Sequence, residues 1–313
     1  MDGDKAPGPD GYAAHFYKSA WTFVGKDFSD AVLSFFSSSQ IMAEVNRTCI
    51  TLVPKIPNPT KMVDFRPISC CKVVYKCVTK ILADRLKSFF PKFISPNQCA
   101  FVEGRDVGDN IQLAHELVKG YNRKGVSPRC MGKEDIMEAF YSVSWRFLLN
   151  ILKVIETPQP FITWIEACIS GARYSVTING SLEGYFKEQK GVRQGDPLSP
   201  YLFVIAIEVL SQLLNAAVES GRMGYHPFSS RVKLTHLGFA DDLLIFLKGE
   251  KKSVDTLLEV FHEFYIMSDL KLNPSKTEIY TAGVDHEESK IINASGFKHG
   301  TLPVRYLGVL LIP

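Results

Sequence analysis

Two adjacent carboxylates, Asp241 and Asp242, interrupt the apolar run LGFADDLLIF. Burying such a pair costs several kcal/mol of desolvation unless a turn exposes it or cations neutralise it, and a turn tip that holds metal meets both demands. An aspartate pair in a hairpin is also an ordinary exposed turn. Asp135 ends another apolar strand about a hundred residues earlier. It would lie beside the pair if the two strands were neighbours in one sheet. Three hard oxygen donors with few other ligands suit Mg²⁺, which keeps its waters and completes its shell with substrate phosphates. Two such ions activate an attacking hydroxyl and hold the leaving oxygen in phosphoryl transfer.

The elements that must position these groups follow from the hydrophobic pattern. VKLTHLGFADDLLIFL reads as a hairpin with the carboxylates at its tip, and CMGKEDIM as the strand carrying Asp135. A helix over about 12–36, a strand at ITLVPKIP and a proline-rich loop to Pro67 precede a helix over about 69–90. That helix carries Lys72, Lys76 and Lys80 at i, i+4 spacing, a positive stripe that reads either as a solvated face or as a nucleic-acid contact. Further helices are expected over 108–123, 139–155 and 160–170. RYSVTING and YFKEQKGV form a hairpin, and DPLSPYLFVIAIEVLSQLLNAAV a long buried helix with Pro197 in its first turn. The glycine and proline of KGVSPR mark a lobe boundary, giving parts 1–128 and 129–313. Helices and strands alternate without βαβ regularity, which predicts an α+β layer structure.

The bulk composition bounds the rest. With 313 residues, 46% hydrophobic, the chain buries a sizeable core in one large domain or two lobes. A net charge of +3 announces no nucleic-acid partner by itself, so any such case is local. Seven cysteines without a CxxC pair read as reduced, mostly buried thiols. The polar start MDGDKAPGPDG is no signal peptide, and YLFVIAIEVLSQLL, interrupted by Glu208, is short for a bilayer span. An intracellular protein without a membrane partner is expected.

GVRQGDPLSPYLF followed by LGFADDLLIF, with KEDIMEAF upstream, resembles the palm of plant non-LTR (LINE-type) retrotransposon reverse transcriptases. The likeness extends over nearly the whole chain, through KAPGPDG, LVPKIPNPTKMVDFRPISC, SPNQCAFVEGRDVGDNI, FYIMSDLKLNPSKTEIY and VRYLGVLL. It implies a right-hand polymerase fold with fingers (1–128) and palm (129–313) and no thumb. It also implies an enzyme that extends a DNA primer on an RNA template from deoxynucleoside triphosphates, with two Mg²⁺ ions that Mn²⁺ can replace, acting in the nucleus.

The same resemblance assigns roles residue by residue. Asp135, Asp241 and Asp242 become the metal-binding carboxylates, and Lys276 the proton donor to the leaving pyrophosphate. Lys55 and Arg66 contact the triphosphate, where a guanidinium fork matches phosphate oxygens. Phe140 lies beneath the sugar and excludes a 2′-hydroxyl, although it also reads as a core aromatic. Gln194 and Gly195 form a turn that a nucleotide or template base can approach closely. Tyr306, Leu307 and Gly308 hold the primer end, with Lys72, Lys76 and Lys80 along the primer and template. Glu134, Glu138, Tyr141 and Asp269 depart from the family's usual residues, where Val, Lys, Asp and Gly are expected. Those departures leave a second reading, a truncated and inactive nucleic-acid-binding remnant. A mobile-intron reverse transcriptase has a similar palm but lacks the plant-like KAPGPDG and CMGKEDIM segments.

Overall fold

The computed structural model describes residues 1–136, 139–271, 277–286 and 296–313, with the side chains of residues 135 and 139 outside that description. In chain order the first elements are α1 (Ala14–Ser19), α2 (Trp21–Ser38), β1 (Arg47–Pro54), β2 (Phe65–Cys71), α3 (Val73–Lys87), α4 (Phe90–Phe93) and α5 (Val107–Val118). Next come β3 (Arg129–Asp135), α6 (Ala139–Ser142), α7 (Trp145–Val154), α8 (Gln159–Ile169), β4 (Arg173–Ile178) and β5 (Ser181–Lys187). The chain closes with α9 (Ser199–Glu219), β6 (His236–Phe239), β7 (Asp242–Lys248), α10 (Lys251–Ser268), β8 (Glu278–Ala282), β9 (Lys298–His299), β10 (Val304–Tyr306) and β11 (Val309–Leu311).

The chain forms two compact units, each discontinuous in sequence: Met1–Ser88 with Phe140–Leu202, and Phe89–Ala139 with Phe203–Pro313. Neither has the bounds 1–128 or 129–313.

The first unit holds a four-stranded sheet in the order β2-β1-β4-β5, antiparallel except for the parallel pair β1 and β4. The FRPISCC segment, expected as loop and helix start, is strand β2. Its residues pair across to β1 from Thr48↔Cys71 to Pro54↔Phe65, and α3 begins only at Val73. The β-branched and cysteine side chains there are satisfied by half-burial on a sheet. The helix signal begins where Val73, Tyr75, Val78, Leu82 and Leu86 recur on one buried face of α3. Burying each such leucine stabilises the fold by roughly 1.5–3 kcal/mol. Trp164 of α8 donates to the Phe36 carbonyl at 3.1 Å and packs edge-on against the Phe36 ring. Tyr75 reaches the Cys168 carbonyl at 3.2 Å. The turn between β4 and β5 is Asn179–Gly180, both with positive φ (51° and 86°), the type I′ geometry that Asn-Gly favours.

The second unit holds a five-stranded sheet in the order β6-β7-β3-β8-β9. Met131 on β3, Leu244 and Phe246 on β7 and Tyr280 on β8 form one apolar face, packed with Ala114 and Leu117 of α5 and with Val304, Tyr306 and Leu311 of the β10–β11 hairpin. The expected helix over 139–155 is two pieces, because Ser144 leaves the helical conformation and its hydroxyl accepts from the Phe147 N–H at 3.4 Å to cap α7. Pro197 lies before α9, and Pro200 occupies the first turn instead.

The segment expected to be short for a bilayer belongs to a helix of 21 residues, long and apolar enough to cross one by length and composition, and 67% of its most apolar window is buried inside the protein. Its Glu208 carboxylate accepts from the Ser95 N–H (2.8 Å) and hydroxyl (2.5 Å) and from Gln212 (2.6 Å). All seven cysteines are free thiols, Cys77 partly exposed and the others buried.

Candidate active site

In the second unit, β3 is antiparallel to β7 with Asp135 directly opposite Asp242. Phe239 pairs with Asp242 across the β6–β7 hairpin, so Ala240 and Asp241 form its two-residue loop. The loop needs a left-handed residue, and Ala240 supplies it at φ 55°. Gln98 braces this turn. Its Oε1 accepts from the Ala240 N–H (3.1 Å) and the Ala100 N–H (2.9 Å), while Asn97 and Cys99 exchange backbone bonds with Gly238 of β6 (2.8 and 3.1 Å). Arg105 fixes that brace in turn by donating to the Ile94, Ser95 and Gln98 carbonyls.

Asp241 and Asp242 are both exposed at the end of this hairpin. As carboxylates at a polar, accessible turn they fit a hard cation by donor chemistry. The position of Asp135 across the ladder makes it the third candidate. Among the described residues no group of three or more His, Cys, Asp or Glu side chains gathers as a metal site. Lys276 and Glu138 lie outside the described residues.

Tyr306 is buried in the apolar face described above. Burial, with the Cys99 thiol and the Asp242 carboxylate nearby, pushes its phenol pKa up. Leu307 (φ 47°) and Gly308 (φ 85°) are the two-residue loop that joins β10 to β11. The structure thus places the VRYLGVLL hairpin close to Asp242 while assigning Tyr306 a core position.

Glu134 is the departure whose position the strand pattern anticipates. It is buried at 3% exposure, on the same side of β3 as Gly132, where a Cβ on the glycine would stand 2.9 Å from the Glu134 Oε1. Burial raises its pKa to about 8, opposed by a hydrogen bond from Thr277. Burial thus favours the neutral form of this acid. Asp269 caps α10 at φ 61°, the left-handed position at which glycine is expected.

In the first unit, Lys55 follows the end of β1 and donates to the Val63 carbonyl at 2.9 Å. Arg66 is exposed on β2 opposite Val53, so the two cations share one end of the β1–β2 hairpin. The Gln194–Gly195 turn docks on β2, the Ser69 N–H donating to the Gln194 carbonyl at 2.8 Å. Gly195 has φ 110° and a Cβ there would stand 3.1 Å from the Ser69 carbonyl oxygen, so the turn requires glycine.

Tyr141 closes the arrangement, its hydroxyl lying against the Pro67 carbonyl and 2.6 Å from Gln194 Oε1. Phe140 is partly buried next to it, with its carbonyl accepting from Val192. Phe140 and the Gln194–Gly195 turn thus meet at Tyr141, which the sequence singles out only as a departure and which reaches β2 one residue beyond Arg66.

Arg193 is a buried structural cation. It lies 4.2 Å from the Tyr75 ring centroid and bonds to Asn46 and to the Tyr174 hydroxyl (3.2 Å). Asp196 is buried beside it, accepting from the Ser199 hydroxyl at 3.4 Å, with its pKa raised by burial. Along the lysine stripe, Lys72 immediately precedes α3, Lys76 donates to the Ala6 carbonyl at 3.0 Å and the exposed Lys80 pairs with Asp84.

Comparisons with known proteins bear on the fold and the family. The fold resembles the telomerase of Candida tropicalis, solved with the TWJ fragment of telomeric RNA, at a TM-score of 0.53 and 15% identity over 82% of this chain and 44% of that one. The architecture is the α+β right-hand polymerase fold. Residues 54–311 match the reverse transcriptase (RNA-dependent DNA polymerase) family, and the chain belongs to it. Among curated relatives it is 29% identical to the transposon TX1 uncharacterized 149 kDa protein of Xenopus laevis, over 88% of this chain and 21% of the relative. It is 26% identical to the Pol polyprotein of the type-2 retrotransposable element R2DM of Drosophila melanogaster, over 82% of this chain and 24% of that protein. The likeness is thus to non-LTR retrotransposon proteins, and the chain spans about a fifth to a quarter of the length of these two.

Proposed function

We propose that this chain is the polymerase core of an RNA-directed DNA polymerase, extending a DNA primer on an RNA template from deoxynucleoside triphosphates. The observation that carries the reading is the register of Asp135 opposite Asp242, with Asp241 in the adjoining turn. These three residues would hold two Mg²⁺ ions, or Mn²⁺ in their place, which when bound activate the primer hydroxyl and stabilise the leaving oxygen. The rest of the task falls to the chain's own groups. Lys55 and Arg66 neutralise and orient the triphosphate, and Phe140 takes the sugar face. Gln194 and Gly195 admit the base pair to the backbone, Lys276 gives a proton to the pyrophosphate, and Tyr306, Leu307 and Gly308 support the primer end.

In this reading the first unit contributes the fingers function and the second the palm function. A plant source and action in the nucleus are part of the proposal, and rest on the motif resemblance and on target-primed synthesis at chromosomal DNA. The test is primer extension by the purified chain on an RNA template with Mg²⁺, beside an Asp241→Ala/Asp242→Ala control. Extension lost in the control supports the reading. A folded chain that extends nothing, even with Mn²⁺, overturns it and leaves a nucleic-acid-binding remnant.

A further inference from the structure

At the end of β1 remote from Lys55, the first unit's sheet carries a row of cations. Arg47 is the register partner of Arg173 in the parallel β1–β4 pair, and Arg173 is the partner of Lys187 in the antiparallel β4–β5 pair. Like charges directly opposite each other across strands are destabilising. All three are exposed, and none is in an ion pair among the described residues. The row therefore calls for an anionic partner from outside.

Its second component is aromatic. The Arg47 and Arg173 guanidinium carbons lie 5.1 and 5.3 Å from the Tyr185 ring centroid, yet the residue remains 53% exposed. Every residue of β5, the edge strand, is exposed, and Phe186 beside Tyr185 is 46% exposed. A ring oriented by two guanidinium groups, with much of its surface open, is a stacking surface for a base, and the cations beside it suit the flanking phosphates. An acidic peptide would use the charges but not the ring. Glu183 lies further along β5, opposite Val176 and outside the cation row.

We propose that Arg47, Arg173, Lys187 and Tyr185 form a docking platform for a single-stranded RNA segment, with a base on Tyr185 and phosphates on the cations. Eight residues of extended strand separate Arg47 from Lys55, roughly 26 Å, so the platform lies well away from the proposed triphosphate contacts. It deepens the polymerase reading, and rests on it only for the identity of the RNA as template.

Binding of a short fluorescent single-stranded RNA, followed by anisotropy without metal or nucleotides, tests it together with photocrosslinking of a 4-thiouridine RNA mapped to peptides. Tyr185→Leu should weaken binding about tenfold and abolish the crosslink in the β5 peptide, and Tyr185→Phe should retain both. Arg47→Gln/Arg173→Gln should flatten the log K against log salt slope by about 1.4. Unchanged affinity, slope and crosslinking in these variants overturn the inference. So does displacement of RNA by polyglutamate with equal strength from the wild type and Tyr185→Leu, which would indicate an acidic protein partner. The Asp241→Ala/Asp242→Ala chain should bind as the wild type does. A platform that binds in a chain without extension activity therefore overturns the polymerase reading alone, and normal binding by Tyr185→Leu in an extending enzyme overturns the platform alone.

Discussion

Gln98 holds Ala240, the residue immediately before the carboxylate pair, by accepting its backbone N–H at 3.1 Å. The same oxygen takes the Ala100 N–H, so one buried amide ties the chain before α5 to the tip of the β6–β7 hairpin. Ala240 sits at φ 55°, a conformation that costs an L-residue about 1 kcal/mol and persists only if its surroundings impose it.

Gln98→Leu removes that acceptor and leaves buried N–H groups unpaired, at about 1–3 kcal/mol each. Urea unfolding should show a clear loss of stability. Primer extension should fall in kcat more than in template affinity, because the turn carrying Asp241 loses its brace. Unchanged stability and kcat would show that the hairpin fixes its own geometry.

The buried acid beside Asp135 gives a pH dependence of known sign. Glu134 has an ordinary value of 4.5 and a folded value of about 8, raised by burial. Between those limits the folded chain binds more protons than the unfolded one. Stability is therefore full below about pH 4.5, falls as pH rises towards about 8, and levels off above. Glu134→Gln keeps the shape without the ionisable proton. It should stabilise the protein by a few kcal/mol at pH 9 and by much less at pH 5. Equal effects at the two values would mean that Glu134 is charged in the native state.

On the acid side two buried histidines act in the opposite sense. His226 has its pKa lowered to about 3 by burial and then by the Arg129 charge, and burial lowers His236 to about 4. The His226 Nδ1 accepts from the Phe228 N–H at 3.2 Å, so its proton is on Nε2, facing the Tyr121 hydroxyl at 3.1 Å. Below the ordinary value of 6.5 the unfolded chain takes up protons that the folded one refuses. The stability these groups contribute is present above about pH 6.5 and is lost as pH falls towards about 4 and then about 3. His226→Gln should shallow the acid limb of a thermal-melting profile while lowering the neutral-pH Tm through the altered bond to Tyr121. An acid limb identical to the wild type would remove His226 from the account.

Much of this was legible before any coordinates. The Asp-Asp hairpin, the strand bearing Asp135, the Asn-Gly turn and the burial of Glu134 all follow from period and polarity. Each depends on a residue and its immediate neighbours, whereas the left-handed cap at Asp269 is what the family resemblance implies, glycine being usual there. What escaped depends on contacts between distant segments. FRPISCC is a strand because β1 lies beside it, and the discontinuous units follow from β4 pairing with β1 across more than a hundred intervening residues. Gln98 and Tyr141 carry no periodic signal, because a bracing side chain is defined by the backbone it reaches. The contacts of Lys76 with Ala6 and of Lys80 with Asp84 likewise give no sign of themselves in the pattern.

Tyr141 tests whether a departure from the family pattern has been taken into the structure. Its hydroxyl, having one proton, donates to the Pro67 carbonyl or to Gln194 Oε1 at any instant, and the two acceptors lie on β2 and on the turn ending in Gly195. An aspartate at this position would set a carboxylate against two oxygen acceptors, so the tyrosine is the residue that suits these neighbours. Tyr141→Phe keeps the ring and deletes the clasp, which should cost about 1 kcal/mol of stability. If the Gln194–Gly195 turn receives the nucleotide, the KM for deoxynucleotides should rise several-fold with a smaller change in kcat, since the loosened turn positions substrate and leaves the carboxylates untouched. A stability loss with no change in KM would confine Tyr141 to holding the first unit together.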